Sequence, residues 1–236
     1  MTVEPASPPT GASPAQICEW ALQTYGDRVA FAFSGAEDVV VIDLLARTGR
    51  PFQVFTLDTF RLHDETRAYL ERVEDHYDLR IRRMAPSQDD LNELIAGDGY
   101  DGLYLSVEQR KRCCHVRKVA PLRRAVTKLG LSAWITGQRR DQADSRTGLT
   151  VVAPDPANGG LTKINPLAQW RHDDVWSWLR EHSVPGNPLH DRGFASIGCA
   201  PCTRPIKPGD DLRAGRWWWE QGAAAECGIH TDKDQD

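Results

Sequence analysis

The chain has 236 residues, 26% of them charged, with 33 acidic against 29 basic side chains and a formal net charge of -4. That balance excludes a global basic field of the kind that draws nucleic acid or an anionic membrane, so any attraction for an anion must be local. No apolar run nears the ~20 residues of a membrane span, and six cysteines are too few for a disulfide scaffold at this length, so the expectation is a cytoplasmic protein whose thiols serve metal ligation or catalysis.

Residues 1–14, with Pro5, Pro8, Pro9 and Pro14 and no aliphatic periodicity, predict a disordered leader, with order beginning near Ala15. Cys18 falls on the apolar side of a first helix beside Leu22 and reads as packing. The runs "RVAFAF" (28–33), "FQVFTL" (52–57), "LRIRRM" (79–84) and "SAWITG" (132–137) predict strands, and helical patterns over 37–48, 63–77, 88–96 and 116–130 lie between them. This alternation predicts an α/β fold with a doubly wound, mostly parallel sheet. The organisation expected is one domain over 15–210 and a cysteine-bearing tail over 211–236. Ligands of such sheets sit beyond the carboxyl ends of the strands, which singles out the loops 34–38, 57–65 and 136–146. Further on, "APDPANGG" (153–160) reads as a turn-rich excursion and "HDDVWSWLREH" (172–182) as a helix. Trp217, Trp218 and Trp219 read as a cap on the core rather than as base-stacking groups.

Several residues carry chemistry. At "FSGAED" a strand runs into Ser34 and Gly35 and then a helix opened by Glu37 and Asp38, a turn whose N–H groups and hydroxyl can cradle a phosphate oxygen. No GK[ST] follows, so it is not a Walker A loop. Lys118, Arg139, Arg140, Arg146, Arg213 and Arg216 supply the local positive charge that the overall balance lacks. Cys113 and Cys114 stand in tandem, where strain disfavours a bond between them, and Cys199 and Cys202 follow in "CAPC" after 84 intervening residues. Four thiolates fit an all-cysteine zinc site or an iron-sulfur cluster. Tandem ligands need a helical or kinked backbone to reach one centre; a cluster with several iron corners accommodates them more readily, so [4Fe-4S] is favoured and zinc stays open. Cys227, in "ECGIH" on a polar tail, is a poor core residue and a candidate nucleophile, with His230 or a positive pocket to favour its thiolate.

With "KRCCHVRKVAPLRRA", "CAPCTRP", "GRWWWE" and "ECGIH" beside "FSGAEDVV", "LDT", "TGQRRDQ" and "KINPLAQW", the chain resembles the assimilatory sulfonucleotide reductases over residues 28–230. The likeness is to the bacterial adenylyl-sulfate (APS) reductases that carry a [4Fe-4S] cluster. It implies an adenine-nucleotide α-hydrolase-like sheet, cluster ligation by Cys113, Cys114, Cys199 and Cys202, and attack of the Cys227 thiolate on the sulfur of APS. AMP would leave, an S-sulfocysteine would form, and thioredoxin or a similar dithiol would release sulfite. It further implies Ser34 and Gly35 in a modified PP-loop and Leu57 and Gly137 near the adenine. Lys118, Arg213 and Arg216 would surround the phosphosulfate. His230 and one or more of Arg139, Arg140 and Arg146 complete the substrate contacts. The chain departs from the family pattern at Phe60, where glycine is more frequent, at Asp64, where proline is common, and at Ala32, where serine is frequent. Ending six residues after His230, it leaves no room for a fused thioredoxin-like domain, so a separate reductant is expected. A PAPS reductase would commonly lack the four cysteines, and an ATP pyrophosphatase or thiolation enzyme would carry a fuller SGGxDS loop. Whether the protein forms a homo-oligomer is left open.

Overall fold

The computed structural model describes residues 7–220. Residues 7–13 lead into α1 (Pro14–Tyr25), which starts at a capping box: the Ser13 hydroxyl accepts from the Gln16 N–H, and the Gln16 side chain accepts from the Ser13 N–H. Pro14 sits at the first helical position, where its missing N–H costs nothing. Cys18 is fully buried on the inner face of α1 with Leu22, and burial holds its thiol well above the ordinary range, as a packing residue.

Six strands form one sheet: β1 (Val29–Ala32), β2 (Gln53–Leu57), β3 (Ile81–Met84), β4 (Ala133–Ile135), β5 (Val152–Asp155) and β6 (Leu161–Ile164), in the order β3-β2-β1-β4-β6-β5. All pairings are parallel except β5 with β6. The helices are α2 (Val39–Arg47), α3 (Asp64–Tyr77), α4 (Gln88–Asp98), α5 (Val107–Cys114), α6 (Ala120–Lys128) and α7 (His172–Glu181). Period-two alternation splits the strands between two cores. Val29, Phe31 and Ile135 face a layer built from α1, α2, α3 and α7. Ala30, Phe55 and Trp134 face Leu122 and Ala125 of α6. The doubly wound expectation is met, and the strand order reverses at β1, which has β2 on one side and β4 on the other.

Two local readings change. The stretch 153–160 is not only a turn: it contains most of β5, which pairs antiparallel with β6 at the sheet edge. Pro154 is tolerated there because an edge strand can do without one ladder N–H. Buried Asp155 ties the hairpin down, accepting from Trp134 Nε1 at 2.8 Å and Asn158 Nδ2 at 2.9 Å. The helix expected over 116–130 is continuous with an unforeseen one. α5 starts at the Ser106 cap, passes into a π-helical turn over His115–Val119, and continues as α6. Its sequence, "VEQRKRCC", has no apolar period to reveal it.

Candidate active site

A cavity of about 1130 Å³, counting its open mouth, lies beyond the carboxyl ends of β1, β2 and β4, at the switch in strand order. Ser34, Leu57, Lys118, Gly137, Arg146, Arg213 and Arg216 line it, together with Cys199 and Trp217. Seven of the expected substrate residues thus meet in one space although they come from five separate parts of the chain.

The loop after β1 is organised by Asp38. Its carboxylate accepts the Ser34 N–H and the Ser34 hydroxyl, each at 2.8 Å, and the Ala36 N–H at 3.2 Å. The N–H groups expected to cradle a substrate anion are thus held in part by the chain's own carboxylate. Burial, reinforced by the neighbouring charge of Glu37, pushes Asp38 up to about 6 against the pull of those hydrogen bonds. Gly35 does not line the cavity. Its role is conformational: φ is +80°, and a β-carbon would stand 2.8 Å from the Thr66 methyl.

The three arginines after β4 part company. Arg139 is buried: its guanidinium pairs with Glu37 at 3.1 Å and Asp141 at 3.0 Å, behind the wall of the large cavity. Burial raises the Glu37 pKa, but the charges of Arg139 and His190 outweigh it, and the net direction is down. Arg140 turns outward and donates to the Leu149 carbonyl at 2.7 Å. Arg146 lines the cavity.

All four expected metal-ligating cysteines border a second, smaller cavity next to the first. Cys113 and Cys114 end α5, where the helix widens into the π turn, a backbone distortion frequent at functional sites. Cys199 is brought in by the loop after β2, through a bridge between Leu62 and Cys199 and an Ala200 N–H bonded to the Arg61 carbonyl at 2.7 Å. The Thr59 hydroxyl lies 3.2 Å from the Cys199 sulfur. The chain returns across this centre, with Thr203 bridging Arg216 and the Trp217 N–H bonding the Cys202 carbonyl at 3.2 Å. Lys118, Cys199 and Trp217 line both cavities, so the thiol centre and the nucleotide-sized space share a wall.

The donor set fits a cluster of net negative charge. Burial pushes the Cys202 thiol up to about 12, with Cys199 adding to the shift, and burial likewise raises Cys113. Such thiols stay protonated until a metal displaces the proton. Arg61, Arg110, Arg117 and Lys118 surround the sulfurs. Arg61 Nε, Arg117 Nε and Trp217 Nε1 are buried donors with no hydrogen-bond partner among the described residues, groups that an anionic occupant would satisfy. As placed, no three His, Cys, Asp or Glu side chains among the described residues converge on a single metal ion; the four sulfurs border a space rather than a point.

The sequence reading did not single out Arg61, Arg110 and Arg117, which border the thiol centre. The signal for two of them was present: Arg110 stands four residues before Cys114 and Arg117 four after Cys113, spacings that share a helix face. Trp217, read as part of a core cap, is 2% exposed with a left-handed φ of +45°, and the guanidinium groups of Arg110 and Arg216 each lie 4.6 Å from its ring. Cys227 and His230 lie outside the described residues.

Comparison with known proteins places this geometry. Residues 28–205 match the phosphoadenosine phosphosulfate reductase domain family. The chain is 51% identical over 205 residues to an adenosine 5'-phosphosulfate reductase of Allochromatium vinosum, covering 86% of this chain and 79% of that one. It is 48% identical to the chloroplastic 5'-adenylylsulfate reductase 1 of Arabidopsis thaliana, covering 93% of this chain and 48% of the plant protein, so it spans about half of the latter's length. Among solved structures, the phosphoadenylyl-sulfate reductase of Candida auris superposes with a TM-score of 0.69 at 27% identity, over 82% of this chain and 91% of that one. An FMN adenylyltransferase of Candida glabrata, at 15% identity and a TM-score of 0.60 over 84% of this chain and 64% of that one, shares the fold alone. With residues 28–205 matched to that domain and 79% of the bacterial relative covered at 51% identity, the chain belongs to the sulfonucleotide reductase family.

Proposed function

We propose that the protein is an adenylyl-sulfate reductase that converts APS to sulfite and AMP with electrons from a protein dithiol. The observation that carries this reading is the shared wall: Lys118, Cys199 and Trp217 border both the cavity at the strand ends and the four-cysteine centre. The relatives named as APS reductases support the choice of nucleotide.

The chemistry assigned to this chain is a sulfonyl transfer. The phosphosulfate of APS is anionic, and an approaching thiolate meets like charge worth ~1 kcal/mol per charge pair at about 4 Å in water, more in a drier site. Lys118, Arg146, Arg213 and Arg216, all on the cavity wall, offset that repulsion and orient the group for attack. The Cys227 thiolate attacks the sulfur, the S–O bond to the phosphate breaks, and its electron pair leaves with AMP. An external thiolate then attacks Cys227 Sγ and expels sulfite. A second thiol resolves the mixed disulfide, so the dithiol is oxidised by two electrons. Cys113, Cys114, Cys199 and Cys202 would hold a [4Fe-4S] cluster, whose contribution is a rigid tether and a fixed charge beside Lys118. Lys118, one helical turn beyond Cys114, would present its ammonium to that charge from one side and to the substrate cavity from the other.

The test measures sulfite released from APS and from PAPS with thioredoxin as reductant, alongside iron, zinc and acid-labile sulfide in anaerobically purified protein. The reading expects a clear preference for APS and about four irons per chain. A preference for PAPS, or zinc without iron, contradicts it.

A further inference from the structure

One buried ion pair joins the thiol centre to the segment that precedes Cys227. Arg110 donates to Glu220 through two parallel bonds, Nε to Oε1 at 2.7 Å and Nη2 to Oε2 at 3.0 Å. Both side chains are almost wholly buried, at 2% and 5% exposure. The same guanidinium bonds the Cys114 side chain one helical turn further along α5 and lies over the Trp217 ring. The turn from Trp217 to Glu220 is closed by a hydrogen bond of 2.8 Å. A fork-on-fork pair of this kind fixes direction as well as distance, and removing either partner leaves the other charge buried and unpaired.

We propose that Arg110 is a positioning residue that fixes, through Glu220, the point and direction from which the Cys227 segment leaves the cavity wall. Six residues lie between Glu220 and Cys227, a span of at most about 25 Å. Its root lies beside Trp217, which borders the cavity. Releasing Glu220 moves the last fixed point further back along the chain from Cys227 and randomises the direction of the chain at Glu220. Length alone lowers the local thiol concentration by a factor of about two, and lost orientation adds to that. Because the anchor also touches Cys114, the thiol centre has a second use: it holds the root of the tail as well as the nearby charge of Lys118. This inference rests on the reading of Cys227 as the nucleophile.

The variants are Glu220→Gln, which keeps shape and loses the charge, and Arg110→Lys, which keeps charge and loses the fork. Two readouts are taken on the iron-loaded protein: the single-turnover rate of Cys227 S-sulfonation by APS, and the rate of Cys227 alkylation by iodoacetamide with and without AMP, followed by mass spectrometry. In folded variants with wild-type iron content, S-sulfonation is expected to fall by about threefold or more with KM for APS within about twofold. AMP should protect Cys227 less than in the wild type. Wild-type rates and equal AMP protection in both variants overturn the proposal, as does failure of both variants to fold, which would make the pair purely structural. If the wild type itself forms no adduct from APS, the functional reading fails instead, and the alkylation arm still tests the anchor.

Discussion

Gly137 and Asp38 approach so closely that a β-carbon on Gly137 would stand 2.3 Å from the Asp38 Cβ. The end of β4 is thereby pressed against the loop after β1, which sets the width of the cavity at the point where the sheet order reverses. Gly137→Ala must push this contact apart, an overpacking that costs about 1–3 kcal/mol. Denaturant unfolding and AMP titration should show both lower stability and at least about tenfold weaker nucleotide binding. Wild-type AMP affinity in the variant would show that the loop yields without consequence.

The pH dependence of stability carries the signature of Asp38. Its folded pKa, about 6, lies above the ordinary 3.8. Stability from this group is therefore full below 3.8 and is lost as pH rises through 6. Glu37, whose pKa is lowered, works the other way, contributing above 4.5 and losing its contribution on further acidification. Between pH 7 and pH 5 the Asp38 contribution dominates this pair, and the wild type should gain on the order of 1 kcal/mol relative to Asp38→Asn. Unfolding curves at the two pH values measure it; parallel pH profiles would contradict the assignment.

The three arginines after β4 make a discriminating series. Removing Arg139 leaves Glu37 without its buried partner, and Arg139→Met should cost about 3–5 kcal/mol of stability. Arg140→Met, losing one hydrogen bond at the surface, should cost about 1 kcal/mol or less and leave kinetics unchanged. Arg146→Met should hold stability within about 1 kcal/mol and raise KM for APS about tenfold or more. Melting curves and steady-state kinetics on the three variants separate the roles, and a KM effect confined to Arg140→Met would reverse them.

How much of this was legible in the sequence follows from which forces are local. The strands β1 to β4 announce themselves as apolar runs, and "CC" and "CAPC" announce the thiol centre through residue type alone. By contrast β5, with Pro154 and a buried Asp155, looks like a turn until Trp134 supplies the partner for its carboxylate. α5 is polar over Glu108–Arg112, with no apolar period, and is held by contacts rather than pattern. Which arginine faces the cavity depends on the path of the 136–146 loop, fixed by Glu37 more than a hundred residues away. The Arg110–Glu220 pair spans a similar distance.

Phe60 illustrates a departure that the fold absorbs. It adopts the left-handed φ of +55° that glycine would take freely, and the residue is 49% exposed. The strain is about 1–2 kcal/mol, partly offset by the lower unfolded-state entropy of a non-glycine residue. Phe60→Gly should therefore be neutral or slightly stabilising, whereas β-branched Phe60→Ile should lose about 1 kcal/mol. Equal melting temperatures for the two variants would contradict this.

On the proposed reading, catalysis runs through the sulfur of Cys227 while Cys113, Cys114, Cys199 and Cys202 hold a centre that does not pass electrons to substrate. Mass spectrometry of Cys227→Ser incubated with APS, beside its visible spectrum and iron content, tests it most directly. The account predicts no S-sulfonated protein and no AMP above background, with iron content and spectrum unchanged. AMP and sulfite formed at the wild-type rate would contradict it.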